Sequence, residues 1–168
     1  YSRLNGSTLG GLAVVSINGG VPTTITLPDL AADTDWHPIW SADGTRLYFV
    51  HRNGVTLDWD LATVPATGGP VQTLIHLPGT QSQMRLSADG ERLIFASDHD
   101  DPPILNLYEC ALANPALLTR LTYETGNTIP GGVSADDARI LVSSRRGAAL
   151  ELFELDRATL VMRRLTFD

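Results

Sequence analysis

The chain has 168 residues, enough for one domain with a sizeable core and too few for two independent domains. It carries a net charge of -7 and all its basic residues are arginines, so it has no basic stripe to bind a phosphate backbone, and we do not expect nucleic acid as a partner. With 15 glycines, 10 prolines and 18% charged residues, the composition favours short elements joined by tight turns over long helices.

The first 33 residues match the second half of a unit that recurs later in the chain. Their apolar run, Gly-Gly turn and closing leucine have counterparts downstream: residues 12–15, 19–20 and 27 correspond to residues 61–64, 68–69 and 77. The uncharged run 4–28 contains too many glycines, prolines and hydroxyl side chains to span a membrane, and no signal-peptide pattern is present. We therefore expect residues 1–33 to form half a unit, without membrane insertion.

Three later segments repeat one turn. Residues 41–44 and 87–90 both read Ser-Ala-Asp-Gly, and residues 134–137 read Ser-Ala-Asp-Asp. In such a turn the aspartate bonds to the following backbone, and glycine accepts a positive φ without steric cost. Asp137 replaces that glycine in the third copy, and we expect the turn to survive there with some strain. An arginine and an apolar alternation follow each turn: Arg46, Leu47, Phe49; Arg92, Leu93, Phe95; Arg139, Ile140, Val142.

Each unit is predicted to contain four strands. Two further apolar stretches follow the alternation, and no segment sustains helical spacing over ten or more residues. Residues 148–160 contain leucines at near-helical spacing, but they align with strand segments of the other units. The sequence thus predicts one all-β domain over residues 1–168, made of half a unit (1–33) and three units at about 34–78, 79–125 and 126–168.

Units of about 45 residues with four antiparallel strands are typical of β-propeller blades. Residues 40–49 (Trp-Ser-Ala-Asp-Gly-Thr-Arg-Leu-Tyr-Phe), with the Leu-Thr ends at 121–122 and 165–166, resemble the blade signature of TolB-like propellers, a tryptophan-aspartate-like repeat family. The repeat count gives about 3.5 blades, an incomplete ring, which departs from the family's closed propellers. The resemblance implies a periplasmic or other extracytoplasmic location. Similar blades occur in TolB, in prolyl-oligopeptidase-type peptidases and in bacterial sensor proteins, so the resemblance implies no single function.

No catalytic residue is predicted. Residues 132–136 come one residue short of the Gly-x-Ser-x-Gly nucleophile elbow, but Ser134 opens a repeat turn that Ser41 and Ser87 also open, whereas the elbow needs a strand-to-helix turn. The chain lacks a phosphate-binding Gly-x-x-x-x-Gly-Lys loop and a His-Glu-x-x-His zinc helix. We therefore expect no enzyme activity, no cofactor and no metal site.

The segment 98–101 (Asp-His-Asp-Asp) is the first candidate binding cluster. Asp98, His99 and Asp100 supply oxygen and nitrogen ligands within a few residues, which suits a cation. The alternative is a solvated hairpin loop that aligns with residues 52–54, and we predict this loop because adjacent residues of an extended segment point apart.

Trp36 and His37 form the second candidate. They lie beside the innermost strand of the first full unit, where an aromatic ring and an imidazole suit a peptide. Packing against the core or rim is the alternative. His51 aligns with Ser97 and Ser144, so we predict it to be a hydrogen-bonded blade residue rather than a ligand.

The function predicted from these observations is a non-enzymatic, protein- or peptide-binding propeller module. Two alternatives remain open: the propeller part of a prolyl-oligopeptidase-type serine peptidase, and a ligand-sensing extracytoplasmic domain. Closed propellers have typically four to eight blades, so about 3.5 blades leave apolar faces uncovered. We expect self-association, or a missing remainder of a longer propeller, to cover them.

Overall fold

The computed structural model describes residues 2–4, 10–27, 33–146 and 149–167. This part of the chain contains fifteen strands and no helix, hence no helix long and apolar enough to cross a membrane. Contacts between residues divide the chain into two compact units, Tyr1–Pro78 and Gly79–Asp168. The single domain over residues 1–168 stays a prediction.

The first unit holds a half blade and one full blade. Its strands are β1 (Ser2–Leu4), β2 (Gly10–Val14), β3 (Thr23–Thr24), β4 (Thr34–Trp40), β5 (Arg46–Arg52), β6 (Trp59–Pro65) and β7 (Gln72–Ile75). Strands β4 to β7 form an antiparallel meander, and β2 pairs antiparallel with both β1 and β3. One parallel pair, between Gly10 and Thr34, joins β2 to β4.

The second unit holds two four-stranded antiparallel sheets. The first contains β8 (Gln81–Leu86), β9 (Arg92–Ser97), β10 (Asn106–Ala111) and β11 (Asn114–Arg120); the second contains β12 (Thr128–Val133), β13 (Arg139–Ser144), β14 (Glu151–Asp156) and β15 (Met162–Arg164). The prediction of four-stranded antiparallel units is confirmed, and the leucine-rich segment 148–160 supplies a strand, as its alignment predicts.

A serine and an aspartate close the turn between the first and second strands of each full unit. The Ser41 hydroxyl donates to Asp43 Oδ1 at 2.6 Å and accepts the backbone N–H of Arg46 at 2.9 Å. The backbone N–H of Gly44 donates to the Ser41 carbonyl at 3.0 Å. The equivalent bonds recur in the other two copies, around Ser87 and Ser134.

Alternation along the second strand sends the arginine and its apolar neighbour to opposite faces of each blade. Leu47, Leu93 and Ile140 are buried. The arginine before each of them reaches the third strand of its own sheet: Arg46 contacts Thr63 at 3.0 Å, Arg92 contacts Glu109 at 3.3 Å, and Arg139 contacts Glu154 at 3.7 Å. The repeat therefore extends from the turn to the polar contacts on the blade surface.

Each unit has its own hydrophobic core. Aliphatic and aromatic side chains from the middle strands fill both cores, because these strands have neighbours on either side. In the first unit the buried cluster is Leu12, Ile25, Leu47, Phe49, Ala62 and Val64. In the second it is Ile94, Ala96, Leu107, Leu121, Ile140, Val142, Phe153 and Leu155.

Asp137 adopts the left-handed conformation that glycine has in the other two turns, with φ of 57° against 70° for Gly44 and 75° for Gly90. Its carboxylate accepts the backbone N–H of Ala88, in the turn of the preceding sheet, at 2.7 Å. Arg157 donates to the Asp137 carbonyl at 2.7 Å. The bond to Ala88 joins the two sheets of the second unit, and the bond from Arg157 lies within one sheet; both compensate for the backbone strain that the sequence predicts.

Gly44→Ala tests the conformational requirement of the turn. A Cβ at Gly44 would meet no atom within 4 Å, so the substitution adds backbone strain without a clash. We expect the free energy of unfolding to fall by about 1–2 kcal/mol, the cost of a left-handed L residue. Gly132→Ala is the matched control, since a Cβ there also meets nothing and its φ is not in the left-handed region. Urea denaturation measures both, and equal losses would contradict the turn assignment.

Asp43→Asn tests the electrostatics of the same turn. The hydrogen bond from Ser41, with those from Thr45, lowers the pKa of Asp43 to about 2. Because the folded pKa lies below the unfolded value of about 3.9, the carboxylate stabilises the fold at neutral pH, and this contribution is lost as the pH falls from about 4 to about 2. Urea denaturation should find Asp43→Asn destabilising at pH 7 and nearly neutral at pH 2. A destabilisation that is equal at both pH values would contradict this account.

Candidate functional site

In each full blade, the same connections lie at the same edge of the sheet. The Ser-Ala-Asp turns lie at one edge, which we call the turn edge. In an antiparallel meander, the loop between the second and third strands and the segment that enters the first strand lie at the opposite edge. We call this second edge, with residues 53–58, 98–105, 145–146 and 149–150, the loop edge.

A polar pair joins the first and second strands near the loop edge of each full blade. The partners are always sixteen residues apart: Asp35 with His51 at 2.8 Å, Gln81 with Ser97 at 3.5 Å, and Thr128 with Ser144 at 3.1 Å. His51 is therefore the hydrogen-bonded blade residue that the alignment predicts. The first full blade differs from the other two because its pair is titratable.

A second histidine–aspartate pair lies in the same blade. His76 Nδ1 lies 2.9 Å from Asp60 Oδ1. The hydrogen bond with Asp35 raises the pKa of His51, and the hydrogen bond with Asp60 raises the pKa of His76. Both imidazoles therefore gain protons more readily than a free histidine does.

Trp36 and His37 lie next to Asp35 on β4. Their ring centroids are 6.4 Å apart, and the pairing of β4 with β5 shifts register between Trp36 and Ile39. His37 is exposed and has a φ of 50°. Both predicted residues are thus at the surface of an irregular strand segment, and their role in binding a peptide stays a prediction.

Asp98 is tied into the fold. Its side chain is buried, and its Oδ1 accepts the backbone N–H of Thr80 at 2.6 Å. A Cβ on Gly79 would lie 2.5 Å from the same oxygen, so the glycine makes room for the carboxylate. The prediction of a solvated loop is wrong for Asp98, because its carboxylate holds the segment that enters β8.

His99 and Asp100 contact Tyr108 on β10. The His99 and Tyr108 ring centroids are 4.5 Å apart, and the Tyr108 hydroxyl donates to Asp100 Oδ2 at 2.9 Å. Arg120 lies 2.5 Å from Asp101 Oδ2 and 3.7 Å from Asp100 Oδ2. Among the described residues, no group of three or more His, Cys, Asp or Glu side chains is arranged to hold a metal ion.

The second unit has a groove at its loop edge that the sequence analysis missed. Its volume is about 640 Å³. It lies where β8, β12 and three loops come together, and its walls are formed by Ser82, Gln83, Pro103, Ile104, Leu105, Thr125, Gly126, Asn127, Ile129, Arg145 and Leu150. We refer to these residues as the groove.

Hydrogen bonds between the loops hold the groove in shape. Asn127 Oδ1 accepts the backbone N–H of Leu105 at 3.0 Å, and the Asn127 carbonyl accepts that of Arg145 at 3.1 Å. A Cβ on Gly126 would lie 1.7 Å from the Arg145 carbonyl, so this close approach of two loops requires glycine. Asn127 and Gly126 are the local signals for the groove, but neither reveals which loops it joins.

Several known structures are similar to this chain in fold. TolB from Acinetobacter baumannii is similar with a TM-score of 0.79 at 19% identity, over 94% of this chain and 38% of that one. A putative TolB from Agrobacterium tumefaciens is similar with a TM-score of 0.79 at 18% identity, over 98% of this chain and 57% of that one. The chain thus spans less than two thirds of either protein.

A puromycin hydrolase is similar with a TM-score of 0.62 at 20% identity, over 77% of this chain and 21% of that one. No family model and no curated protein matches the sequence. At these identities the likeness concerns the fold alone. The chain resembles TolB in its β-propeller fold, as its repeated turns predict.

Reciprocal substitutions test the two histidine–aspartate pairs. Asp35→Asn should lower the pKa of His51 more than that of His76, and Asp60→Asn should do the reverse, because each aspartate is the main cause of its own partner's shift. The raised pKa means that each pair stabilises the fold fully below the unfolded value of about 6.5, and that this contribution is lost as the pH rises through the folded value. NMR titration of the imidazole resonances gives both pKa values. Unchanged titration in both variants would refute the pairing.

Proposed function

We propose that the chain is a non-enzymatic, protein- or peptide-binding propeller module, and that the groove in its second unit is where the partner binds. The observation that carries this proposal is the groove itself, an open site at the loop edge of the second unit. Loops on a rigid scaffold are the common location of binding residues.

The size and surface of the groove suit a short peptide segment. Ligand sites are typically about 300–1,000 Å³, and a volume of about 640 Å³ lies within that range. Leu105 and Ile129 rest against the buried core of the unit, so this part of the wall is firm. Leu150 is 58% exposed and offers apolar surface that a partner would bury.

The hydrogen bonds of Ser134 argue against a role of this serine as a nucleophile. The Ser134 hydroxyl, which stands nearest to a nucleophile motif in the sequence, donates to Asp136 Oδ1 at 2.5 Å and accepts the Arg139 N–H at 2.9 Å. It therefore serves the turn. The similarity to a puromycin hydrolase concerns the fold alone, and it does not identify a substrate for this chain.

Leu150→Asp tests the groove as the peptide site. Selection of a phage-displayed random peptide library on the immobilised full chain should enrich peptides with apolar side chains. Their affinity, measured by calorimetry, should fall about tenfold in Leu150→Asp, which is the loss expected when one leucine is no longer buried on binding.

Leu117→Asp is the matched control, because Leu117 is an exposed leucine on β11 in the same unit, outside the groove. It should leave peptide affinity unchanged. Failure to enrich any peptide, or an equal loss in both variants, would overturn the proposal.

A further inference from the structure

We infer that the groove selects peptides that carry an acidic side chain next to apolar ones, and that Arg145 binds the carboxylate. This inference rests on the proposed peptide-binding function and names the chemistry of the partner. Its basis is the Arg145 guanidinium, which is the one charged group of the groove wall and has no side-chain partner among the described residues.

Arg145 differs from the other arginines whose side chains the structure describes. Ten of them have a carboxylate, a carbonyl, another polar oxygen or an aromatic ring within contact: Arg46, Arg52, Arg85, Arg92, Arg120, Arg139, Arg146, Arg157, Arg163 and Arg164. Within the described residues, Arg145 makes a hydrogen bond only through its backbone N–H.

The neighbouring charges leave this guanidinium available. In the β11–β12 loop, the acidic residue Glu124 directly precedes the groove residue Thr125. The Arg146 guanidinium binds both oxygens of its carboxylate, at 2.5 and 2.6 Å. The Glu124 carboxylate is therefore bound to Arg146 and does not neutralise Arg145. A peptide carboxylate can form two parallel hydrogen bonds with the planar guanidinium, which favours an anionic ligand over a neutral one.

The rest of the groove suits a peptide side chain better than a chain terminus. Capture of a terminal carboxylate commonly uses a nest of free backbone N–H groups. Around the groove, the backbone N–H groups of Leu105, Thr128 and Arg145 already donate within the fold. The side-chain amide of Gln83, which has no hydrogen-bond partner among the described residues, offers a donor and an acceptor to the peptide backbone.

Two capped pentapeptides test this inference without prior selection. Both carry leucines around a central residue, which is glutamate in one and glutamine in the other, and both have acetylated and amidated ends. NMR titration of the full chain should give an affinity about tenfold higher for the glutamate peptide, the size of one charge-assisted hydrogen-bonded pair. Arg145→Gln should abolish this preference by removing the gain in affinity that the glutamate peptide has over the glutamine peptide.

Arg163→Gln is the matched control, because Arg163 is also exposed in the same unit. Its guanidinium lies 3.0 Å from Glu154 Oε1, and neither residue lines the groove. It should retain the preference for glutamate. Equal affinity for the two peptides, with binding still sensitive to Leu150→Asp, would overturn the acidic specificity and leave the peptide site standing. Absence of binding by either peptide at millimolar concentration would overturn both.

A third peptide, with glutamine at the centre and a free terminal carboxylate, separates the two sources of the carboxylate. It should bind like the capped glutamine peptide. Restoration of the full affinity by the terminal carboxylate would contradict the assignment to an acidic side chain.

Discussion

The hydroxyl group of one serine sets the register of each full blade. It donates to the aspartate two residues later and accepts the backbone N–H of the arginine that begins the second strand. Because side chains alternate along a strand, a slip of one residue would turn every buried side chain of β5, β9 or β13 to the other face. The burial of Leu47, Leu93 and Ile140 therefore depends on this turn as much as on their own hydrophobicity.

The two edges of a blade therefore differ: the turn edge is constant between blades, and the loop edge varies. The turn edge repeats the same hydrogen bonds in all three copies, and its aspartates have lowered pKa values because those bonds favour the charged carboxylate. The loop edge varies: one blade carries two histidine–aspartate pairs, and another carries a network around Arg120 and Tyr108. Loops that vary on a constant β-sheet scaffold can bind different ligands. The groove lies at this variable edge.

The repeated parts of the fold could be predicted from sequence because each copy supports the others. The spacing of the Ser-Ala-Asp turns located the strands, and it correctly assigned β14 to a strand against the near-helical spacing of Leu152 and Leu155. The half blade was predicted in the same way, from the apolar run at residues 12–15 and its Gly-Gly turn, but β1 was not predicted. Local hydrogen bonds and alternation act over a few residues, so the sequence reveals them directly.

The parts that lie between repeats could not be predicted. The groove joins residues from β8, from β12 and from three loops that are about twenty residues apart, and no local pattern indicates which loops meet. Asp98 was predicted to lie in a solvated loop because its segment aligns with the hairpin loop at residues 52–54, whereas its burial depends on the space left by Gly79. The link from Asp137 to Ala88 likewise spans 49 residues. Each of these contacts depends on how elements pack.

Photo-cross-linking tests most directly whether peptides bind at the loop edge of the second unit. A photo-reactive phenylalanine analogue is placed at position 150, in the groove, or at position 135, in the turn edge of the same sheet, and each full chain is irradiated with a random peptide pool. The account predicts peptide adducts at position 150 and none above background at position 135. Equal labelling at the two positions, or labelling confined to position 135, would contradict it.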